Sequence, residues 1–501
     1  MCQREVKLVT HWGFELNCLF QTILEWMEGT QPKRFFGYTV MQLCCCLIGC
    51  YAYLAYGCID SSKSVYFPLI QEYYHLEYNY QGLLVGVSSI GYLTFSLFVG
   101  YLSIRVGIKW TLSLGFFILT IAFIAGYSIV HIGLVVSCLI IVGIGIVFLD
   151  VSINTWSTVL FTSHKAVMMN ILHCFYGFGA SIGPIISSAI TLHVNQSYRG
   201  VFVACILYGF SALLIALLIP KSESKPQKGE DSSSDFTIRS AIKHPVTWLF
   251  GIAQGCAIGA EIINTTWAPI YLRDVYGWDP KTRGAHFVSI FYMLYTISRL
   301  LSGFFIDYFG GLKSLVLYNS ILIVLSVVAF LLGEKGVICL VAMGLFYAPF
   351  FPTIFTVAMT YFGKNVDRCT CVILFMYMIV NPLIQYIVGV LMKHIGVEWG
   401  YRFSVVVLLV LLVNLLLIGW SLKKKEKAEA EALLNPPQVW GVCSYTTCCN
   451  SVPLAFDESH VLKEFKPTKG KWKGINRKGK LDDTHVQESP RFHDHHKPPV
   501  H

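Results

Sequence analysis

Long apolar runs leave this chain few folds. Twelve stretches carry almost no charge, near residues 38–60, 82–103, 109–130, 132–156, 167–191, 199–219, 246–271, 286–307, 312–333, 336–360, 370–392 and 402–421. A bilayer core takes about 20 helical residues, and lipid offers the backbone no partners, so such runs must be helices satisfied internally. Each is therefore predicted to span a membrane. Only 13% of the 501 residues are charged and 55% are hydrophobic, against roughly 25% charged in a soluble domain. The expected fold is an all-α membrane protein of twelve transmembrane helices.

The polar stretch "KSESKPQKGEDSSSD", 221–235, separates spans six and seven. It divides the chain into two six-helix bundles, 37–220 and 246–421, joined by a central loop at 221–245 and flanked by segments 1–36 and 422–501. Lysine and arginine favour one set of loops: Arg105, Lys109, Lys165, Lys313, Lys364, Arg368 and the run at 423–427. Positive residues stay inside, so both termini, the central loop and a disordered basic tail are expected to be cytoplasmic. "NQS" at Asn195 then falls outside, where it could accept a glycan.

The net charge of +9 comes largely from that tail, so the expected partner is the lipid bilayer rather than nucleic acid. The 17 cysteines show no metal spacing, and no disulfide framework, metal or cofactor is expected. Residues 1–36 lack a short apolar core with a cleavage site. Trp12, Leu16, Leu19, Phe20, Ile23 and Met27 recur at helical spacing, predicting a packed amphipathic helix there.

The halves echo each other. "GYLSIRVGIKW" (100–110) follows span two and "GFFIDYFGGLK" (303–313) follows span eight. Each has a glycine, Gly100 or Gly303, and a second glycine seven residues on, Gly107 or Gly310, then a lysine. Such repeats mark transporters whose two halves rock about a central site. These loops resemble the loop signature of the major facilitator superfamily, Gly-x-Leu-Ala-Asp-Arg-x-Gly-Arg-Lys. The resemblance covers roughly residues 36–421 and implies two pseudo-symmetric bundles. Arg105 matches in the first copy, but Ile104 stands where Asp is usual; the second keeps Asp307 with Tyr308 in place of Arg. In the family this acid latches the loop to neighbouring helices, so the first latch is weakened.

A narrower resemblance lies in "LDVSINTW" (149–156), "NILHCFYGFGASIGP" (170–184), "GAEIINTTW" (259–267) and "DSSKSVYFP" (60–68). These look like the fucose:proton symporter type and its fungal relatives, in which an acid at the Asp150 position with an Asn one turn later serves sugar and proton. Read from the residues alone, Asp150 costs about 2.5–3.5 kcal/mol in a lipid-facing helix. Asn154, four residues on, shares its face and can donate to the carboxylate while presenting its own carbonyl. The pair is either a clamp onto a neighbouring helix or a protonatable site in a wet cavity.

Span seven carries Gly251, Gly255 and Gly259, a smooth face for close packing. Gln254, Glu261, Asn264 and Thr265 form a rotated polar stripe, with Trp267 and Tyr271 beyond, so this face is expected to meet water. Arg299 in span eight could pair with Glu261 or bind an anion, and Asp60 could pair with Lys63. His173 in span five is a relay candidate or a structural donor; Gly179 and Gly183 make a contact face beside Pro184. Asn381 and Gln385 in span eleven, with Tyr292, Tyr295 and Tyr347, suit a sugar or polyol. No nucleotide-binding loop or hydrolase motif is present, so the chain is not expected to be an enzyme. The expectation is a monomeric secondary transporter of a small polar solute coupled to protons or another cation, in a plasma or organelle membrane. A monocarboxylate carrier using Arg299 and a solute sensor that no longer transports are the alternatives.

Overall fold

The computed structural model describes residues 34–35, 38–160, 165–220, 238–363 and 366–434. The amphipathic segment expected at 12–27, most of the central loop and the tail cysteines lie outside the described residues. Among the described residues ten segments are long and apolar enough to cross a membrane. Gly311–Phe362 has 52 residues; at about 1.5 Å per residue it would be far longer than the ~30 Å hydrocarbon core. A tight turn at Gly333–Gly336 divides it into two spans. The remaining expected span is the 29-residue helix Tyr78–Val106. The helices thus follow the twelve runs.

Three boundaries differ from expectation. Span one, Val40–Ser61, continues after a kink at Ser62 into the helix Lys63–Tyr73. The central loop ends early, since Ile238–Lys243 is helical and span seven begins at Pro245, a residue suited to the first helical turn. Span twelve runs from Val397 to Leu434, so the first part of the expected disordered tail is helix. "KKKEKAEAEALL" consists of strong helix formers. Lys425 and Lys427 reach Glu429 and Glu431 one turn on, at 3.5 and 3.7 Å.

Two buried apolar cores follow the two halves. One gathers Phe116, Phe123, Trp156, Tyr198 and Phe202; the other gathers Phe250, Trp267, Phe291, Tyr347 and Tyr401. The glycine face of span seven packs on span eleven as its spacing predicts. A Cβ on Gly251, Gly255 or Gly259 would meet Met376, Val380 and Ile384 in turn, one helical turn apart. Gly179 and Gly183 likewise lie against Leu54 and Cys58 of span one. The internal repeat is visible in the backbone too. Gly107 (φ 91°, ψ 157°) and Gly310 (φ 85°, ψ 144°) make the same one-residue turn at equivalent places, a conformation glycine adopts without steric cost.

The bundles meet most closely towards one end, the end that carries loops one–two, five–six, seven–eight and eleven–twelve. There Arg273 reaches Gln71 at 3.0 Å, Tyr78 donates to Asp274 at 2.8 Å and Lys393 pairs with Glu77 at 2.7 Å. The Ser188 hydroxyl bonds the Lys281 carbonyl, and Ser181 bonds the Ser289 carbonyl at 3.0 Å. Spans two and eleven touch backbone to backbone at Gly82 and Gly389, and spans five and eight touch at Gly177 and Thr296. At the opposite end the second of the repeated loops is exposed. Gly303, Asp307 and Gly310 are exposed, and a Cβ at Gly100, Gly303 or Gly310 would touch nothing within 4 Å.

Candidate functional site

Between the bundles lies a cavity of about 220 Å³. Pockets for drug-sized ligands measure roughly 300–1,000 Å³, so this one has room for a small solute. It brings together eight of the sequence candidates: Asp60, Asp150, His173, Glu261, Tyr292, Tyr295, Arg299 and Asn381. They come from spans one, four, five, seven, eight and eleven, which is why only the folded bundle reveals them as one site.

Asp150 sits in a chain of hydrogen bonds. Tyr92 donates to its Oδ2 at 2.6 Å and Asn154 Nδ2 donates to its Oδ1 at 3.0 Å. Asn154 Nδ2 also bonds the Asp150 carbonyl at 2.8 Å, while its own Oδ1 accepts from Tyr53 at 2.9 Å. The four-residue spacing therefore works as expected, but Asn154 stands behind the acid instead of lining the cavity. Its amide is consumed in holding the carboxyl.

Asp60 is held differently. Lys63 Nζ lies 2.9 and 3.0 Å from its two oxygens, and Tyr176 donates to Oδ2 at 2.8 Å. Glu261 meets its cation through a third group. Arg299 Nη2 donates to the Tyr295 hydroxyl at 2.9 Å, and that hydroxyl lies 3.5 Å from Glu261 Oε2. The Arg299 guanidinium also covers the Tyr295 ring, 4.9 Å from its centroid. Of the alternatives for Arg299, pairing with Glu261 takes this bridged form and not a direct contact.

Among the described residues the cavity therefore holds three carboxyl groups and two cations. Asp60 has Lys63 and Glu261 has Arg299 through Tyr295, whereas Asp150 is held by neutral donors. Placing one unbalanced carboxylate in a low-dielectric cavity is costly, and uptake of a proton removes the cost.

Four of the remaining amide and indole candidates do not reach the cavity wall. Gln254 is fully buried. Asn264 is locked inside the second bundle, donating to the Tyr347 hydroxyl at 3.1 Å and accepting from Tyr401 at 2.9 Å; Tyr347 is withdrawn with it. Trp267 donates to Gln385 at 2.9 Å, and both are completely buried. Gln254 precedes the wider turn and Gln385 belongs to span eleven, whereas Asn264 and Trp267 face neighbouring helices because span seven is broken at Ile263–Trp267 by a wider turn that rotates the face there. A regular period run through "EIINTTW" aims them at water; the extra residue in the turn aims them at protein.

Sequence reasoning missed the most abundant lining group. Tyr53, Tyr56, Tyr66, Tyr92, Tyr176 and Tyr377 join Tyr292 and Tyr295 around the cavity. A tyrosine in an apolar helix reads as core; the available signal was its repeated occurrence beside the polar positions in spans one, two, five and eight. Of the loop-motif residues, Arg105 covers the Tyr101 ring at 4.8 Å, and neither Arg105 nor Asp307 forms an ion pair with a described residue.

A polar, tyrosine-lined cavity between two six-helix membrane bundles defines a multi-pass membrane protein built to hold a small solute. The family model of the Major Facilitator Superfamily matches residues 47–380, and the chain belongs to that superfamily, a family of transporters and not of enzymes. A glucose/galactose transporter of Brucella abortus is 24% identical over 373 residues, covering 71% of this chain and 89% of that protein. The crystal structure of the E. coli fucose:proton symporter aligns over 74% of this chain and 98% of that one, at 18% identity and a TM-score of 0.55. A D-xylose–proton symporter aligns over 75% and 97%, at 14% identity and a TM-score of 0.60. The fold is thus shared with sugar symporters of the fucose:proton type.

Proposed function

We propose that the protein is a proton-coupled transporter of a small neutral sugar-like solute, working by alternating access. The observation that carries the coupling is the asymmetry among the three cavity acids. Among the described residues Asp150 alone of the three has no cation beside it and faces the cavity between neutral donors, so it is the group that exchanges a proton with the solute path. Asp60 and Glu261, each already balanced, shape the charge around it. The sugar assignment rests on the glucose/galactose and fucose:proton relatives, and on eight tyrosines whose rings and hydroxyls suit a polyhydroxylated ring.

Among the described residues, the hydrogen bonds and ion pairs between the bundles lie at the end assigned to the outside by the distribution of positive loops, and we read the opposite, cytoplasmic end as the open one. The cavity in this state therefore communicates with the cytoplasm. Protonation of Asp150 from outside allows the loaded carrier to reorient; release of the proton inside resets it. A second reading, an organic-anion carrier using Arg299, is favoured by the Arg299 Nε, which has no partner among the described residues. The three carboxyl groups in the same cavity oppose it. Counterflow in proteoliposomes decides: D-glucose or D-galactose should exchange and accumulate down an imposed proton gradient. Exchange of L-lactate with no exchange of either sugar would refute the neutral-solute reading.

A further inference from the structure

Three buried hydrogen bonds fix the direction of a side chain that the solute meets. The Trp267 indole N–H can only donate, and it donates to Gln385 Oε1 at 2.9 Å. The Gly259 carbonyl can only accept, and it takes Gln385 Nε2 at 3.1 Å. A donor on one side and an acceptor on the other leave the Gln385 amide one orientation. Its Nε2 then also donates to Asn381 Oδ1 at 2.9 Å. Asn381 is nearly buried but lines the cavity. With its oxygen engaged by Gln385, the group it has left for the solute is its NH₂.

We propose that Trp267 is a positioning residue that sets, through Gln385, the polarity of Asn381, so that this wall of the cavity offers N–H donors and takes a hydrogen-bond-accepting oxygen of the solute. The wider turn at Ile263–Trp267 is what delivers the indole to Gln385. The close approach of Gly259 to Ile384 is what brings its carbonyl within reach. Elsewhere in the same cavity Asp150 supplies an acceptor. The solute is therefore read with a sense: an oxygen lone pair at Asn381, a hydroxyl hydrogen or proton at Asp150. The inference rests on the reading of this cavity as the solute site and adds which chemistry each wall selects.

The test uses the full chain in proteoliposomes with D-glucose, D-galactose and their monodeoxy series. Trp267→Phe keeps a ring and removes the N–H; Gln385→Met keeps most of the volume and removes all three hydrogen bonds. Each folded variant should raise KM by about 2- to 12-fold, the worth of one hydrogen bond, with the maximal rate within about twofold of wild type. The wild type should be penalised when the hydroxyl at one ring position is removed, and both variants should lose that penalty at that position alone. A general loosening would instead weaken every analogue alike. The double variant should be no worse than Gln385→Met, because the two act in series. Unchanged KM and unchanged discrimination in either folded variant overturns the inference and leaves the solute site standing. If the wild type transports neither sugar, the solute reading falls and the inference falls with it.

Discussion

The closed end of the molecule depends on glycines that only one state requires. Gly389 of span eleven faces Tyr78 and Gly82 of span two. A Cβ there would overlap the Tyr78 carbonyl oxygen and stand 3.1 Å from its carbon and 3.2 Å from Gly82 Cα. These are backbone atoms, so no side chain can swing aside. To bring the Tyr78 carbonyl oxygen out to an ordinary ~3.2–3.5 Å contact the helices must part by roughly 1 Å. Overpacking of this kind costs roughly 1–3 kcal/mol. The contact crosses between bundles, and in the proposed alternating-access cycle it is lost when this end opens, so the cost falls on the closed state alone. A differential of that size shifts the balance of states by about 5- to 150-fold. Gly389→Ala is therefore predicted to open this end and slow transport. Hydrogen–deuterium exchange in nanodiscs reads the shift: faster exchange at 68–80 and 273–281, slower exchange at 100–110 and 303–313. A folded Gly389→Ala protein with the wild-type exchange pattern would refute the reasoning.

Gly255→Ala makes the contrasting case. Its Cβ would lie 2.5 Å from Val380 Cβ, but both residues belong to the second bundle. It should lower the melting temperature, for about 1–3 kcal/mol, while leaving the exchange balance between the two ends unchanged. At the cavity, Lys63→Met strands Asp60, whose side chain is 15% exposed. Leaving a buried charge unpaired costs up to about 3–5 kcal/mol, and the Asp60→Asn/Lys63→Met double variant should recover most of it. Thermal melts check both, and a double variant as unstable as the sum of the single ones would show that the pair is not coupled.

Hydropathy alone exposed the twelve spans, because lipid demands an uninterrupted apolar run for each. The glycine spacings of spans five and seven were equally legible, since a four-residue repeat has one geometric meaning on a helix. What lay beyond sequence was rotation. "EIINTTW" gives no sign of the wider turn that swings Trp267 into protein and, through Gln385, onto Asn381. The amides of span seven looked like cavity ligands because polarity predicts a polar environment without saying whether water or another side chain supplies it. Asn264, shared between Tyr347 and Tyr401, is satisfied by protein. Asp150 was the opposite case: its cost in lipid pointed to the cavity, and the structure places it there. The bridged Glu261–Tyr295–Arg299 arrangement depends on distances between helices that spacing along one helix cannot provide.

The most direct test of the account replaces Asp150 with Asn and measures two processes on the same proteoliposomes. Asn keeps the shape and can still bond Tyr92 and Asn154, but it cannot exchange a proton. Sugar counterflow should persist while accumulation driven by a proton gradient is lost. Proton-driven accumulation unchanged from wild type would contradict the claim that Asp150 carries the coupling.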